Sequence, residues 1–284
     1  MDTNDRQNVW RQNMEKSKPF IDIDQVIKNK NPKLHKMLPG FVISYIKRIA
    51  HQEEINRVMA AIGHLQGLDF VHALVHEFGV EVELKGEENI PKEAPVIFAS
   101  NHPLGGMDGI AFMHALGKYR TDLRFLVNDI LMNIKNFEPL FVPVNKHGAN
   151  SRAVSKLIEE TYAGDYAVLV FPAGLVSRKQ SKGIFDLEWK KSFISKAKKY
   201  EKDVIPVYIE GRNSEFFYNL ANLRKRLGIK ANVEMFYLAD EMFSQKGKKV
   251  TIHIGKPLPY KSFDASLSEG EWAEEVKKRV YEMA

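Results

Sequence analysis

The chain has 284 residues, 44% hydrophobic and 27% charged, an ordinary globular composition with room for a sizeable core. It contains no cysteine, which excludes disulfides, thiol nucleophiles and cysteine-ligated zinc. The 42 Lys and Arg against 36 Asp and Glu give a net charge of +6 and favour an anionic partner such as a lipid headgroup, a phosphorylated donor or an acidic carrier. No zinc-finger spacing, RNP1-like motif or basic helix with heptads accompanies the charge, so nucleic acid is not expected. No apolar run approaches the ~20 residues of a membrane-spanning helix, and the polar residues 1–18 do not read as a signal peptide.

In chain order, a polar lead gives way at Phe20 to a segment carrying Lys28, Lys30, Lys33 and Lys36. After Pro39-Gly40, the stretch Phe41 to Ile62 reads as one helix, with Val42, Tyr45, Ile46 and Ile49 on one stripe and Lys47 and Arg48 beside it. Such a helix either faces a core or lies on a membrane surface with its cations near headgroups. Leu68 to Phe78 reads as a second helix, and Gly63 and Gly67 bracket the turn before it. Residues 1–79 are thus expected to form a polar lead and helical hairpin, a candidate membrane-surface contact, ahead of a main domain at 80–284.

From Val80, short apolar strands alternate with helices. Strands are expected at Val80–Leu84, Val96–Ala99, Leu123–Val127, Leu140–Val144, Ala167–Phe171, Val204–Ile209, Val233–Leu238 and Val250–Ile254. Helices are expected at Ile110–Tyr119, Ser151–Tyr162, Glu188–Tyr200, Ser214–Leu227 and Glu271–Tyr281. The pattern predicts an α/β fold with a mixed, largely parallel central sheet flanked by helices. Ligands in such folds collect at the carboxyl ends of strands. Four polar loops fall there: Asn101–Asp108, Pro143–His147, Pro172–Lys179 and Glu210–Asn213. The apolar members of 216–223, including Phe216, Phe217, Tyr218, Leu220 and Leu223, are expected to be core, with the lining of an acyl groove as the alternative.

The first loop reads Ser100-Asn101-His102-Pro103-Leu104-Gly105-Gly106-Met107-Asp108, and Gly109 opens the next helix. Alone, His102 would be a backbone-bonded loop residue and Asp108 a helix cap. Together, in a glycine-rich loop after a buried strand, they suit an imidazole base with a carboxylate behind it. No Gly-x-Ser-x-Gly elbow is present for a serine nucleophile. His72 and His76 are four apart, but His72-Ala73-Leu74-Val75-His76 lacks the His-Glu-x-x-His form, so no metal site is expected.

These blocks resemble the lysophospholipid and glycerolipid acyltransferases of the lysophosphatidic-acid acyltransferase type. Asn101-His102 with Asp108 resembles their Asn-His-x4-Asp motif, with five intervening residues instead of four. Phe171-Pro172-Ala173-Gly174 resembles the Phe-Pro-Glu-Gly block, Leu140 to Lys146 stands where the Phe-Ile-x-Arg block belongs, and Val204-Ile205-Pro206-Val207 resembles the last block. The resemblance covers about residues 80–260. It implies that His102 acts as general base on an acceptor hydroxyl, that Asp108 orients it, and that the acyl donor is acyl-CoA or acyl carrier protein without a further cofactor. It also implies substrate contacts at Asn101, Gly105, Gly106, Asn145, Lys146, Pro172, Gly174, Ser177, Arg178, Lys179 and Arg212. Ala173 replaces the block's acidic residue, Leu175-Val176 replaces its Thr-Arg, and the second-block Arg is absent, with Lys146 nearest. The extra loop residue and Phe-Pro-Ala-Gly-Leu resemble a hemolysin-like bacterial subfamily related to amino-acid-lipid O-acyltransferases. The expected acceptor is therefore a lyso-lipid, either an ornithine or glycine lipid or lysophosphatidic acid. The expected location is the cytoplasm, peripheral to the inner face of the cell membrane on an anionic lipid surface. The competing reading is a non-catalytic lipid-binding protein that keeps the fold.

Overall fold

The computed structural model describes residues 19–145, 151–230 and 232–284. The chain divides into two compact units, one ending at His64 and one from Leu65 to Ala284. The first is helical: α1 (Ile23–Lys30), α2 (Pro32–Met37), α3 (Gly40–Ile49) and α4 (Gln52–Ile62). The expected single helix over 41–62 is broken between α3 and α4, where His51 takes a left-handed conformation (φ 51°). The carboxamide of Asn56 pins the chain entering α1: Ile21 N–H donates to Asn56 Oδ1 at 2.8 Å, and Asn56 Nδ2 donates to Ile21 O at 2.9 Å. Asp24 accepts from Lys47 and pairs with His35, tying α1 to α2 and α3. Lys28, Lys30, Lys33 and Lys36 are all exposed, as are Met37 and Phe41.

The second unit opens with α5 (Gly67–Phe78), whose Phe70, Val71, Leu74, Val75 and Phe78 are buried. It packs with the sheet unit, and the compact body therefore starts before the strand at Glu81. Seven strands form the central sheet: β1 (Glu81–Lys85), β2 (Val96–Ser100), β3 (Leu123–Asn128), β4 (Phe141–Val144), β5 (Ala167–Val170), β8 (Asp203–Ile209) and β9 (Lys249–Ile254), with β6 (Arg178–Gln180) and β7 (Gly183–Phe185) forming a separate hairpin. The sheet order is β1-β9-β8-β2-β5-β3-β4, and every pairing is parallel except β8 with β9. Central β2 and β5 are continuous apolar runs, Val96-Ile97-Phe98-Ala99 and Ala167-Val168-Leu169-Val170, buried as strands covered on both faces must be. The covering helices are α6 (Gly106–Gly117), α7 (Arg152–Ala163), α8 (Ser192–Tyr200), α9 (Glu215–Arg226), α10 (Leu238–Phe243) and α11 (Glu269–Tyr281).

Two expectations fail in informative ways. Val233–Leu238 has strand-like composition, yet Val233–Tyr237 is a 3-10 turn that leads into α10. Its fully buried Glu234 decides this, because it must meet Arg178 at 3.1 Å and Arg224 at 2.7 Å, and a ladder position could not bring it to both. In α9, Phe217 and Tyr218 are buried, but Phe216 and Leu223 are about half exposed and do not belong to the core.

Candidate active site

The parallel strands place their carboxyl ends together, and β2 delivers His102 there. Three donors converge on one oxygen of Asp108: His102 Nδ1 at 2.8 Å, the Leu104 N–H at 2.7 Å and the Gly105 N–H at 3.0 Å. Asp108 is fully buried in the first turn of α6, where the helix dipole also favours a carboxylate. Burial raises its carboxyl group, opposed by the His102 and Leu104 hydrogen bonds. Because a carboxylate only accepts, Nδ1 of His102 carries the proton and Nε2 is left with a lone pair. The His102 side chain is 17% exposed, so the imidazole is reachable without being solvated freely.

The ring of Phe171, at the end of β5, stacks on His102 with centroids 4.1 Å apart and planes 15° from parallel. A second carboxylate fixes the loop from behind. Asp186 accepts from the His102 N–H at 3.2 Å, from Ser177 Oγ at 2.6 Å and from Trp189 Nε1 at 2.9 Å. Burial raises its carboxyl group, and the hydrogen bonds from Ser177 and Trp189 counter that. The Ser177 N–H donates to the His102 carbonyl at 2.8 Å, so this one loop holds both ends of the His102 peptide unit.

A cleft of about 130 Å³ opens beside Phe171 at the ends of β3, β4 and β5. Its walls include Val127, Asn145, Pro172, Gly174, Lys190 and Phe193. The Lys190 ammonium lies so near Gly174 that a Cβ built there would stand 3.6 Å from it. An apolar cleft with a cation in its wall suits a ligand that joins a hydrocarbon chain to an anionic group.

Of the residues expected to touch substrate, Pro172, Gly174 and Asn145 line this cleft. Lys146 lies outside the described residues. Others are committed to the scaffold, which corrects the expectation for their side chains. Asn101 is buried and mimics a strand: Nδ2 donates to Ile209 O at 3.0 Å, and Oδ1 accepts from Ile209 N–H at 2.7 Å. Arg178 is buried and faces Glu234, with a second bond to the Val176 carbonyl at 2.6 Å, so it is not free to bind an anion. Ser177 is fully used by Asp186. Gly105 and Gly106 make room for neighbouring side chains: a Cβ on Gly105 (φ 75°) would meet Leu238 at 3.2 Å, and one on Gly106 would meet Met242 at 2.9 Å. Lys179 and Arg212 are exposed and both pair with Glu215. Sequence reasoning passed over Asp186, Phe171 and Lys190 as site residues. A single acid between Phe185 and Leu187, three residues before Trp189, was the available sign that Asp186 is buried.

A family model described as acyltransferase matches residues 25–284. The protein is 48% identical over 265 residues to a lyso-glycine lipid O-acyltransferase of Bacteroides thetaiotaomicron, covering 93% of this chain and 97% of that relative. It is 47% identical over 265 residues to another of the same description from Phocaeicola vulgatus, covering 93% and 95%. Among solved structures it is similar to the 1-acyl-sn-glycerophosphate (LPA) acyltransferase PlsC of Thermotoga maritima, with 21% identity and a TM-score of 0.49 over 86% of this chain and 88% of that one. With a paired His102 and Asp108 at the strand ends and matches that span nearly its whole length, the chain belongs to the acyltransferase family.

Proposed function

We propose that the protein moves a fatty acyl group from the thioester of acyl-CoA or acyl carrier protein to the hydroxyl of a lyso-glycine lipid. The observation that carries this reading is the 2.8 Å contact of His102 with Asp108, in a chain 48% identical to a relative of that description. Nε2 of His102 takes the proton as the acceptor oxygen attacks the thioester carbonyl, because an alcohol is nucleophilic enough only when its proton leaves in the same step. The carbon–sulfur bond then breaks, and the imidazolium returns the proton to the departing thiolate. Asp108 stabilises the imidazolium between these two events. No covalent acyl-enzyme is needed. Lys190, in the wall of the cleft, is the cation we assign to the carboxylate of a glycine headgroup.

Among the described residues no helix is long and apolar enough to cross a membrane. We place the protein at the inner membrane surface, because its acceptor is a lipid and because the first unit exposes Met37 and Phe41 beside four lysines. Neutralising Lys28, Lys30, Lys33 and Lys36 should weaken sedimentation with anionic vesicles; unchanged sedimentation would remove the first unit from that role.

The acceptor is tested by supplying purified protein with each donor and either lyso-glycine lipid or lysophosphatidic acid. Acylation of the glycine lipid, abolished by His102→Ala in a protein of unchanged fold, is the expected result. Turnover of lysophosphatidic acid alone would overturn the acceptor, and full activity of His102→Ala would overturn the base.

A further inference from the structure

Around α9 a charge cluster is inside while several large apolar side chains are outside. Glu234 is completely buried between Arg178 and Arg224. Phe216, Leu223 and Leu227, with half-buried Leu220 between them, recur at i, i+7, i+11 and i+4, which is one stripe of a helix. The buried stripe of the same helix is a different one, formed by Phe217, Tyr218, Ala221 and Arg224. Phe216, Leu223, Leu227, Ile229 and Phe236 keep between 42% and 73% of their surface exposed. Scattered exposed leucines need no explanation, but five large residues on one corner do.

The corner is also rigid. Arg224 donates to both carboxylate oxygens of Glu234, at 2.7 and 3.2 Å, and to the Ile229 carbonyl at 3.2 Å, so the turn after α9 is fastened to the helix. Phe216 meets Tyr237 edge to face at 4.9 Å, which joins the helix stripe to the 3-10 turn carrying Phe236. The apolar residues therefore project from a fixed platform. Around them stand exposed Lys225, Arg226 and Lys230, with no carboxylate partner among the described residues.

We propose that this corner, α9 with Ile229 and the 3-10 turn at Val233–Tyr237, is a lipid-contacting face of the catalytic unit that seats its apolar side chains in the acyl boundary of an anionic bilayer. The charge pattern selects this occupant. A second copy of the chain would set Lys225, Arg226 and Lys230 against their own equivalents across a two-fold axis. An acidic protein would match the cations but leave the central apolar stripe against a polar surface. A bilayer with anionic headgroups matches both, with hydrocarbon for the stripe and phosphates for the rim. The face is distinct from the lysine-rich first unit and belongs to the body that holds His102. It rests on the proposed lipid acceptor only for its purpose.

The absence of cysteine makes a direct test available. Leu227→Cys in the full chain, labelled with a polarity-sensitive dye, is mixed with phosphatidylcholine vesicles with and without phosphatidylglycerol. A blue shift and brightening with the anionic vesicles is expected. No spectral change while the protein sediments with those vesicles overturns the proposal. In parallel, Leu223→Ser/Leu227→Ser should keep the thermal midpoint and the activity on detergent-dispersed acceptor, and should lose at least about tenfold in partitioning to anionic vesicles. Loss of binding to acyl carrier protein, or of a dimer, with vesicle partitioning intact would assign the face to that partner and overturn the lipid assignment. Neither arm uses the acyl acceptor to read binding, so a failed acceptor assignment leaves this result readable.

Discussion

Replacing Asp108 by Asn isolates the charge behind the imidazole, because the geometry allows everything else to stay. All three donors to Asp108 land on the same oxygen, while its second oxygen has no hydrogen-bond partner. An amide oxygen can occupy the first position and keep the His102, Leu104 and Gly105 bonds. The amide nitrogen then takes the other place, with no acceptor waiting for it. Its two buried N–H groups should cost about 1–3 kcal/mol, partly offset because a buried charge is removed. The larger effect is on catalysis. An imidazolium and a carboxylate with charge centres about 4 Å apart attract by roughly 4 kcal/mol at an effective dielectric of about 20. Losing that attraction as the imidazolium forms should lower kcat by about 10³-fold. The assay is acyl transfer followed across pH with wild-type and Asp108→Asn protein of matched circular dichroism. A variant within tenfold of wild type would refute the charge-stabilised base.

Asn101→Ala should strip the Ile209 peptide of two buried hydrogen bonds, costing about 2–4 kcal/mol and roughly 5–10 °C in Tm; a calorimetric midpoint within a degree of wild type would rule out the clamp. Lys190→Met should raise KM for the lyso-glycine lipid about tenfold or more with little change in kcat, as expected when a ground-state ion pair is removed; an unchanged KM would detach Lys190 from the headgroup. A pH effect on stability should come from the His72 and His114 pair, whose Nδ1 atoms are 2.9 Å apart. Burial, with Lys118 nearby, lowers His114 to about 4 and lowers His72 as well. The folded chain therefore binds the His114 proton less readily than the unfolded chain. The contribution is fully present above about pH 6.5 and is lost as pH falls towards about 4. With its partial exposure discounted, the loss is roughly 1–2 kcal/mol. Denaturant titrations of wild type and His114→Phe between pH 7 and 4 should diverge by that amount, and parallel curves would contradict it.

The parts legible in the sequence are those written in contiguous residues. The buried runs at 96–100 and 167–170 could only be central strands, and a His-bearing loop after one of them had to lie at the carboxyl edge of the sheet. The parts that stayed hidden depend on a partner far along the chain. Asn101 reads like a ligand-binding amide, and only the approach of Ile209 makes it a clamp. Arg178 reads like an anion-binding cation, and only Glu234, fifty-six residues later, takes it inside. Glu234 in turn defeats the strand reading of 233–238, since propensity cannot register that one buried carboxylate must reach two guanidinium groups. Asp186 was passed over because its tie to the His102 N–H spans 84 residues, although Ser177 and Trp189, its other donors, lie close by in the chain. The break at His51 escaped because a left-handed residue in mid-helix leaves no periodic signature.

The position of β2 has a consequence for how the chain becomes active. Its neighbours in the sheet are β5 and β8, strands that begin 71 and 107 residues after it begins. The loop at its end is then fastened to residues 186 and 209. During synthesis His102 emerges with none of these supports, and the sheet can close around β2 only after β8 has been made. Contacts of such long sequence separation form slowly, since the loops they close must be ordered before any bond rewards them. Recovery of acyl transfer after denaturation should therefore lag behind the return of helical signal, and an enzyme assay would serve as a clock for the last step of folding.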